Sequence, residues 1–202
     1  RLELASLLAD EGNLSSAMIE LNEIIDSTDS THSIVTLAKL ERLIVQAKII
    51  VAQSDDLNSH LSEMNSKKSK LLLAIYQKTV DQFSAEKLVH LSDGEKMNIL
   101  VKKQLLLTYL DYVTGDKLAA VISLKAVLTH SKVSAKQKVS AIEQLSNIYY
   151  ELHDFENLNS VCLLLKNSGH FQARKTVASC SDKLIDLIYH DNFPISPIVQ
   201  LN

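Results

Sequence analysis

The sequence predicts an all-α protein, and three observations carry that prediction. Both prolines, Pro194 and Pro197, lie at the C-terminal end, so everything before them is free of the strongest helix breaker. Tryptophan is absent and aromatics make up only 5% of the residues, which argues against a β-sandwich or barrel. Apolar residues recur at helical spacing along nearly the whole chain. At 202 residues, the chain is long enough to bury a sizeable core, and 46% hydrophobic with 22% charged residues is ordinary for a globular chain.

The elements follow in order. Leu2, Leu4, Ala5, Leu7 and Leu8 make an apolar stripe on a first helix. Gly12 ends it, since glycine takes the left-handed conformation at a helix C-terminus most easily. Asn13 or Ser15 caps a second helix that buries Ala17, Met18, Leu21, Ile24 and Ile25. Residues 33–53 form a long helix with two apolar flanks, Ile34, Leu37, Leu40, Ile44, Ala47 and Val51 on one and Val35, Ala38, Val45 and Ile49 on the other, a pattern that implies neighbours on both sides. Ser54-Asp55-Asp56 breaks it, and a more polar helix through Leu57, Leu61 and Met64 follows. Leu71 to Phe83 gives another helix, residues 84–92 a short one, and Ser92-Asp93-Gly94 a break. Helices 95–114 and 117–130 flank Thr114-Gly115-Asp116. Ser134 caps helix 135–152, His153-Asp154-Phe155 turns the chain into helix 156–167, and residues 171–190 form the last helix.

The turns recur at a near-regular interval. Gly12 to Gly115 is 103 residues (115 − 12), close to three units of about 34, and Gly115 to His153 is 38 (153 − 115). One hairpin holds Leu4, Ala5, Leu8, Gly12-Asn13-Leu14, Ala17, Leu21 and Ile24. A later one holds Leu107, Thr108, Asp111, Gly115-Asp116-Lys117, Ala120, Leu124 and Val127 in the same order, and the next Leu145, Ser146, Tyr149, His153-Asp154-Phe155, Leu158, Cys162 and Leu165. These hairpins resemble the tetratricopeptide repeat, whose units of about 34 residues stack as helix–turn–helix pairs. The departures are Asp111, where a large residue is usual, and Leu158, where a small one is. The resemblance covers about half the chain, and residues 32–100 fit the period but not the signature. It implies a right-handed α-α superhelix in one domain, 1–192, with units near 1–31, 32–65, 66–100, 101–133 and 139–168, a capping helix at 171–190 and a tail at 193–202. Arg1 already sits in a helical pattern and no initiating Met is present, so the sequence reads as a piece of a longer chain.

The chemistry in the sequence is sparse. It has no Gly-rich phosphate loop, no His-Glu-x-x-His, no Cys-x-x-Cys and no Gly-x-Ser-x-Gly. The seven histidines are scattered. No catalytic residue, cofactor site or metal site is predicted, and the chain reads as no enzyme. Cys162 and Cys180 are the only cysteines. On antiparallel helices joined near Gly169 they are offset by four residues, about 6 Å along the axis. That is too much for comfortable disulfide geometry, so free, packing cysteines are expected. No run approaches the length of a membrane span. The compartment stays open, with the cytoplasm slightly favoured.

The net charge of −3 hides an asymmetry. Residues 1–31 hold seven acids against Arg1, whereas 95–138 hold eight lysines against Glu95, Asp111 and Asp116. Solvated helix faces explain this most simply. A basic groove for an acidic peptide or nucleic acid is the sharper reading, but the scarcity of arginine disfavours nucleic acid. The resemblance implies a protein-interaction scaffold that binds a peptide or partner helix in a concave groove lined by the first helix of each unit. Carried onto this sequence, the lining includes Lys102, Leu105, Tyr109 and Tyr112 in one unit and Asn147 and Tyr150 in the next. A carboxylate clamp is disfavoured, because Glu143 stands where a clamp lysine is expected. The alternative is a ligand- or peptide-sensing regulatory domain of a signalling protein or transcription regulator, whose effector domain lies elsewhere. Partner identity and oligomeric state are open.

Overall fold

In a computed structural model, residues 1–29, 32–55, 61–167 and 173–191 are described, and every regular element among them is helical. The chain forms α1 (Leu2–Asp10), α2 (Leu14–Ser27), α3 (Ser33–Asp55), α4 (Leu61–Gln82), a single 3-10 turn (Ala85–Leu88), α5 (Asp93–Thr114), α6 (Lys117–Thr129), α7 (Ala135–Glu151), α8 (Phe155–Asn167) and α9 (Ala173–Asp191). It divides into two compact units, Arg1–Asp116 and Lys117 onward.

Three turns between helices share one backbone solution. Gly12, Gly115 and His153 all adopt a left-handed conformation, with φ of 83°, 102° and 54°. After each, the next amide donates back five residues: Asn13 N to Leu8 O at 2.8 Å, Asp116 N to Asp111 O at 2.8 Å, Asp154 N to Tyr149 O at 2.9 Å. The left-handed residue itself donates back three: Gly12 to Ala9, Gly115 to Tyr112, His153 to Tyr150. This is the Schellman pairing that satisfies carbonyls left over at a helix end. The three turns anticipated from sequence therefore repeat in hydrogen-bond detail, including the one built on histidine.

In the first unit α3 is the shared element. It packs against α1 and α2 on one side and against α4 and α5 on the other. Ala38 and Val45 join Ala5, Ala17, Leu21 and Ile24 in one core, while Leu40, Leu43 and Ala47 join Leu72, Phe83, Leu88, Ile99, Leu106 and Leu110 in a second. The two flanks of α3 thus face two cores, Leu37, Ile44, Ile49 and Val51 only partly buried and Ile34 exposed near its start. The α1 stripe is narrower than the sequence suggests: Leu4 and Leu7 are exposed, and Ala5 and Ala9 make the buried contact. Alanine lets α1 and α2 approach closely, so the large residues are turned outward. One helix runs from Leu61 through Gln82, across the boundary expected between residues 65 and 66. Helix α3 continues through Asp55, past the break expected from Ser54, and only a 3-10 turn forms within 84–92. The expected position of Leu57 lies outside the described residues.

In the second unit α6 packs on α7, α7 on α8, and α9 on both α7 and α8. Helices α5 and α7 begin with full capping boxes. Ser92 and Ser134 accept from the amides of Glu95 and Gln137, whose side chains accept in return from the Ser92 and Ser134 amides.

Cys162 of α8 and Cys180 of α9 form a disulfide, with Cα atoms 5.7 Å apart. This corrects the expectation of free cysteines. That expectation placed the pivot of the hairpin at Gly169. Cys162 lies five residues before the end of α8 (167 − 162), and Cys180 seven after the start of α9 (180 − 173). The mismatch is two residues, about 3 Å, which the hairpin accommodates. Both cysteines are buried.

Candidate functional site

The six groove residues divide between the units, four on α5 and two on α7. On α5, Lys102 is ion-paired with Glu41 of α3, a carboxylate almost wholly enclosed by the first unit. Such a pair adds little net stability, because the desolvation of Glu41 offsets much of its attraction to the partly exposed Lys102. Leu105 is buried, and Tyr109 is partly buried against the core that holds Leu106 and Leu110. Tyr112 is half-buried one turn further along. Next to it, Asp111 has its pKa raised above the ordinary range by burial and by the neighbouring Asp116. Lys103, on an adjacent face, donates to the Phe83 carbonyl at 3.1 Å, and burial lowers its pKa. On the first hairpin, Ala9 is buried, and Asp10 pairs with Lys48 at 3.8 Å.

On α7, both residues meet α9. The Lys183 ammonium donates to Asn147 Oδ1 at 2.5 Å and to Ser146 Oγ at 3.1 Å. Burial lowers the Lys183 pKa, and the Glu143 carboxylate opposes that shift. The Tyr150 hydroxyl donates to the Asp186 carboxylate. Two further groups mark this helix. Lys125 sits over the Tyr149 ring, 5.8 Å from its centroid, and Glu151 pairs with Lys117 at 2.8 Å.

Lys183 and Asp186 were absent from the sequence reading of this surface. Each lies 36 residues beyond its partner on α7. That separation is close to the 38 residues between the Gly115 and His153 turns (153 − 115), so the turn spacing was the available signal.

No group of three or more His, Cys, Asp and Glu side chains suited to a metal ion occurs among the described residues. No helix among them is long and apolar enough to cross a membrane. Cys180 is held in the disulfide, so its sulfur is not a thiolate nucleophile in this state. Compared with protein-family models, with curated proteins and with solved structures, the chain matches none.

Proposed function

We propose that this protein is a non-catalytic, tetratricopeptide-like scaffold that binds a peptide or partner helix on the odd-helix face, the side that is concave in a right-handed superhelix of such units. The observation that supports this reading is a shared turn, at Gly12, Gly115 and His153, with burial at matching positions in the three segments around it. Ala5, Thr108 and Ser146 occupy the same place in each, and all three are buried. So are Ala17, Ala120 and Leu158, then Leu21, Leu124 and Cys162, then Ile24, Val127 and Leu165. Within each unit, odd-numbered helices also pack on odd-numbered ones: α1 on α3, α3 on α5, α7 on α9. Turn-linked segments that share burial positions, with alternate helices packed together inside each unit, suit the local rule of a helical repeat. Tyrosine on the odd-helix face suits recognition, since it offers rigid area with a hydrogen-bonding tip.

The reading is tested by placing a photo-crosslinking amino acid at Tyr112 of α5 or Glu143 of α7, and at Leu73 of α4 or Ser160 of α8 as even-helix controls. The expected result is one partner protein captured from both odd-helix positions and from neither control. Capture from Leu73 and Ser160 alone overturns it.

A further inference from the structure

A cleft in the second unit lies apart from the surface just described. Leu128 of α6, Lys138, Val139 and Ile142 of α7, and Leu164 and Leu165 of α8 line a space of about 280 Å³. On α7 it is centred about 100° round the helix from Glu143, Asn147 and Tyr150, at 100° per residue. Leu164 is 58% exposed at its lip, while Ile142 and Leu165 form a buried floor. The volume falls just below the range of small-molecule sites. It suits one or two apolar side chains better than a whole ligand.

Charge says what should carry those side chains. From Lys117 to Ile142 the sequence contains five lysines and no aspartate or glutamate. Lys138 lines the cleft, Lys136 follows Ala135 at the first turn of α7, and Lys132 precedes it in the loop. None of the three forms an ion pair among the described residues. The positive end of the α7 dipole adds to the same field. An apolar floor under an uncompensated cationic rim repels basic segments and attracts acidic ones.

We propose that this cleft docks an acidic segment of a partner protein, with a leucine-type anchor seated on Val139, Ile142 and Leu165 and its carboxylates facing Lys132, Lys136 and Lys138. The proposal is independent of the odd-helix surface, because no residue is shared. It is tested by fluorescence anisotropy with a synthetic Glu/Ser peptide carrying two leucines one helical turn apart. Both ends are capped, so that no terminal carboxylate contributes. The expected result is saturable binding that weakens at least about tenfold with Lys136→Glu/Lys138→Glu and with Leu164→Asp. Leu164 is exposed, so its variant keeps the fold, which circular dichroism checks. Binding should also fall when the peptide leucines become serine, and stay unchanged with Asn147→Ala. Equal binding of the leucine-free peptide, tighter binding of a short DNA duplex, or no binding of the leucine peptide overturns the proposal. So does loss of binding with Asn147→Ala. Leu164-dependent self-association in sedimentation makes a second copy the occupant, and also overturns it.

Discussion

Asp111 stands where a carboxylate is least at home. It lies in the last turn of α5, at the negative end of the helix dipole, half-buried and next to Asp116. Burial first, and Asp116 second, raise its pKa above the ordinary 3.8. A raised folded pKa means that the folded state holds its proton longer than the unfolded one. Stability from this group is therefore present at low pH, falls as pH rises from about 3.8 through the folded value, and stays lost at neutrality. Asp111→Asn should stabilise the protein at pH 7 by about 0.5 kcal/mol, the size of one dipole contact. The gain should vanish in melts run near pH 3. A variant less stable than the parent at pH 7 would show that the carboxylate has a compensating partner. The same residue explains an imperfection in the repeat pattern: Asp111 takes a place where a large apolar residue is usual, and Leu110 and Leu107 are buried beside it.

At the scale of elements, what was legible in the sequence was what local chemistry decides. Gly12 and Gly115 mark left-handed caps and Ser134 marks a capping box, because those residues act on backbone groups within a turn of themselves. The unbroken run of α4 through residue 65 was not legible, since the polar stretch Lys67-Lys68-Ser69-Lys70 separates two apolar runs that read as two helices. The disulfide was missed for a related reason: its register depends on where a hairpin pivots, which no residue near Gly169 announces. Of the candidate surface, the positions on α5 and α7 were legible from the period. Their engagement by Glu41, Lys183 and Asp186 was not, because it depends on tertiary neighbours. Two glycines separate these levels. Gly115 has φ of 102° with open space around it, whereas Gly94 lies in the first turn of α5, also in open space but without a positive φ. Gly115→Ala should destabilise by about 1 kcal/mol from backbone strain alone. Gly94→Ala should stabilise by roughly 0.5–1 kcal/mol by restricting the unfolded chain. Chemical denaturation of the two variants reads opposite signs, and a shared sign would show that the left-handed conformation of Gly115 does not govern its response.

Across the whole molecule, stability is distributed between separate cores. The first unit closes one core around α1–α3 and another around α3–α5, and neither contains a cysteine. The second unit holds the disulfide between α8 and α9, which also brings Lys183 and Asp186 onto α7. Linking residues 18 apart removes unfolded-state entropy worth about 3 kcal/mol. Because α8 and α9 pack on each other and on α7, that loss should be felt first in those helices. The Cys162→Ala/Cys180→Ala variant should therefore lose hydrogen-exchange protection first in α8 and α9, then in α7, while α1 to α3 exchange as in the parent. The hydroxyl of Tyr150 should report the same event, because its acceptor, Asp186, lies on the helix that is freed. Uniform loss of protection across both units would show that the chain unfolds as one cooperative body rather than helix by helix. Unchanged protection in α9 would show that the α7 contacts, and not the disulfide, hold that helix in place.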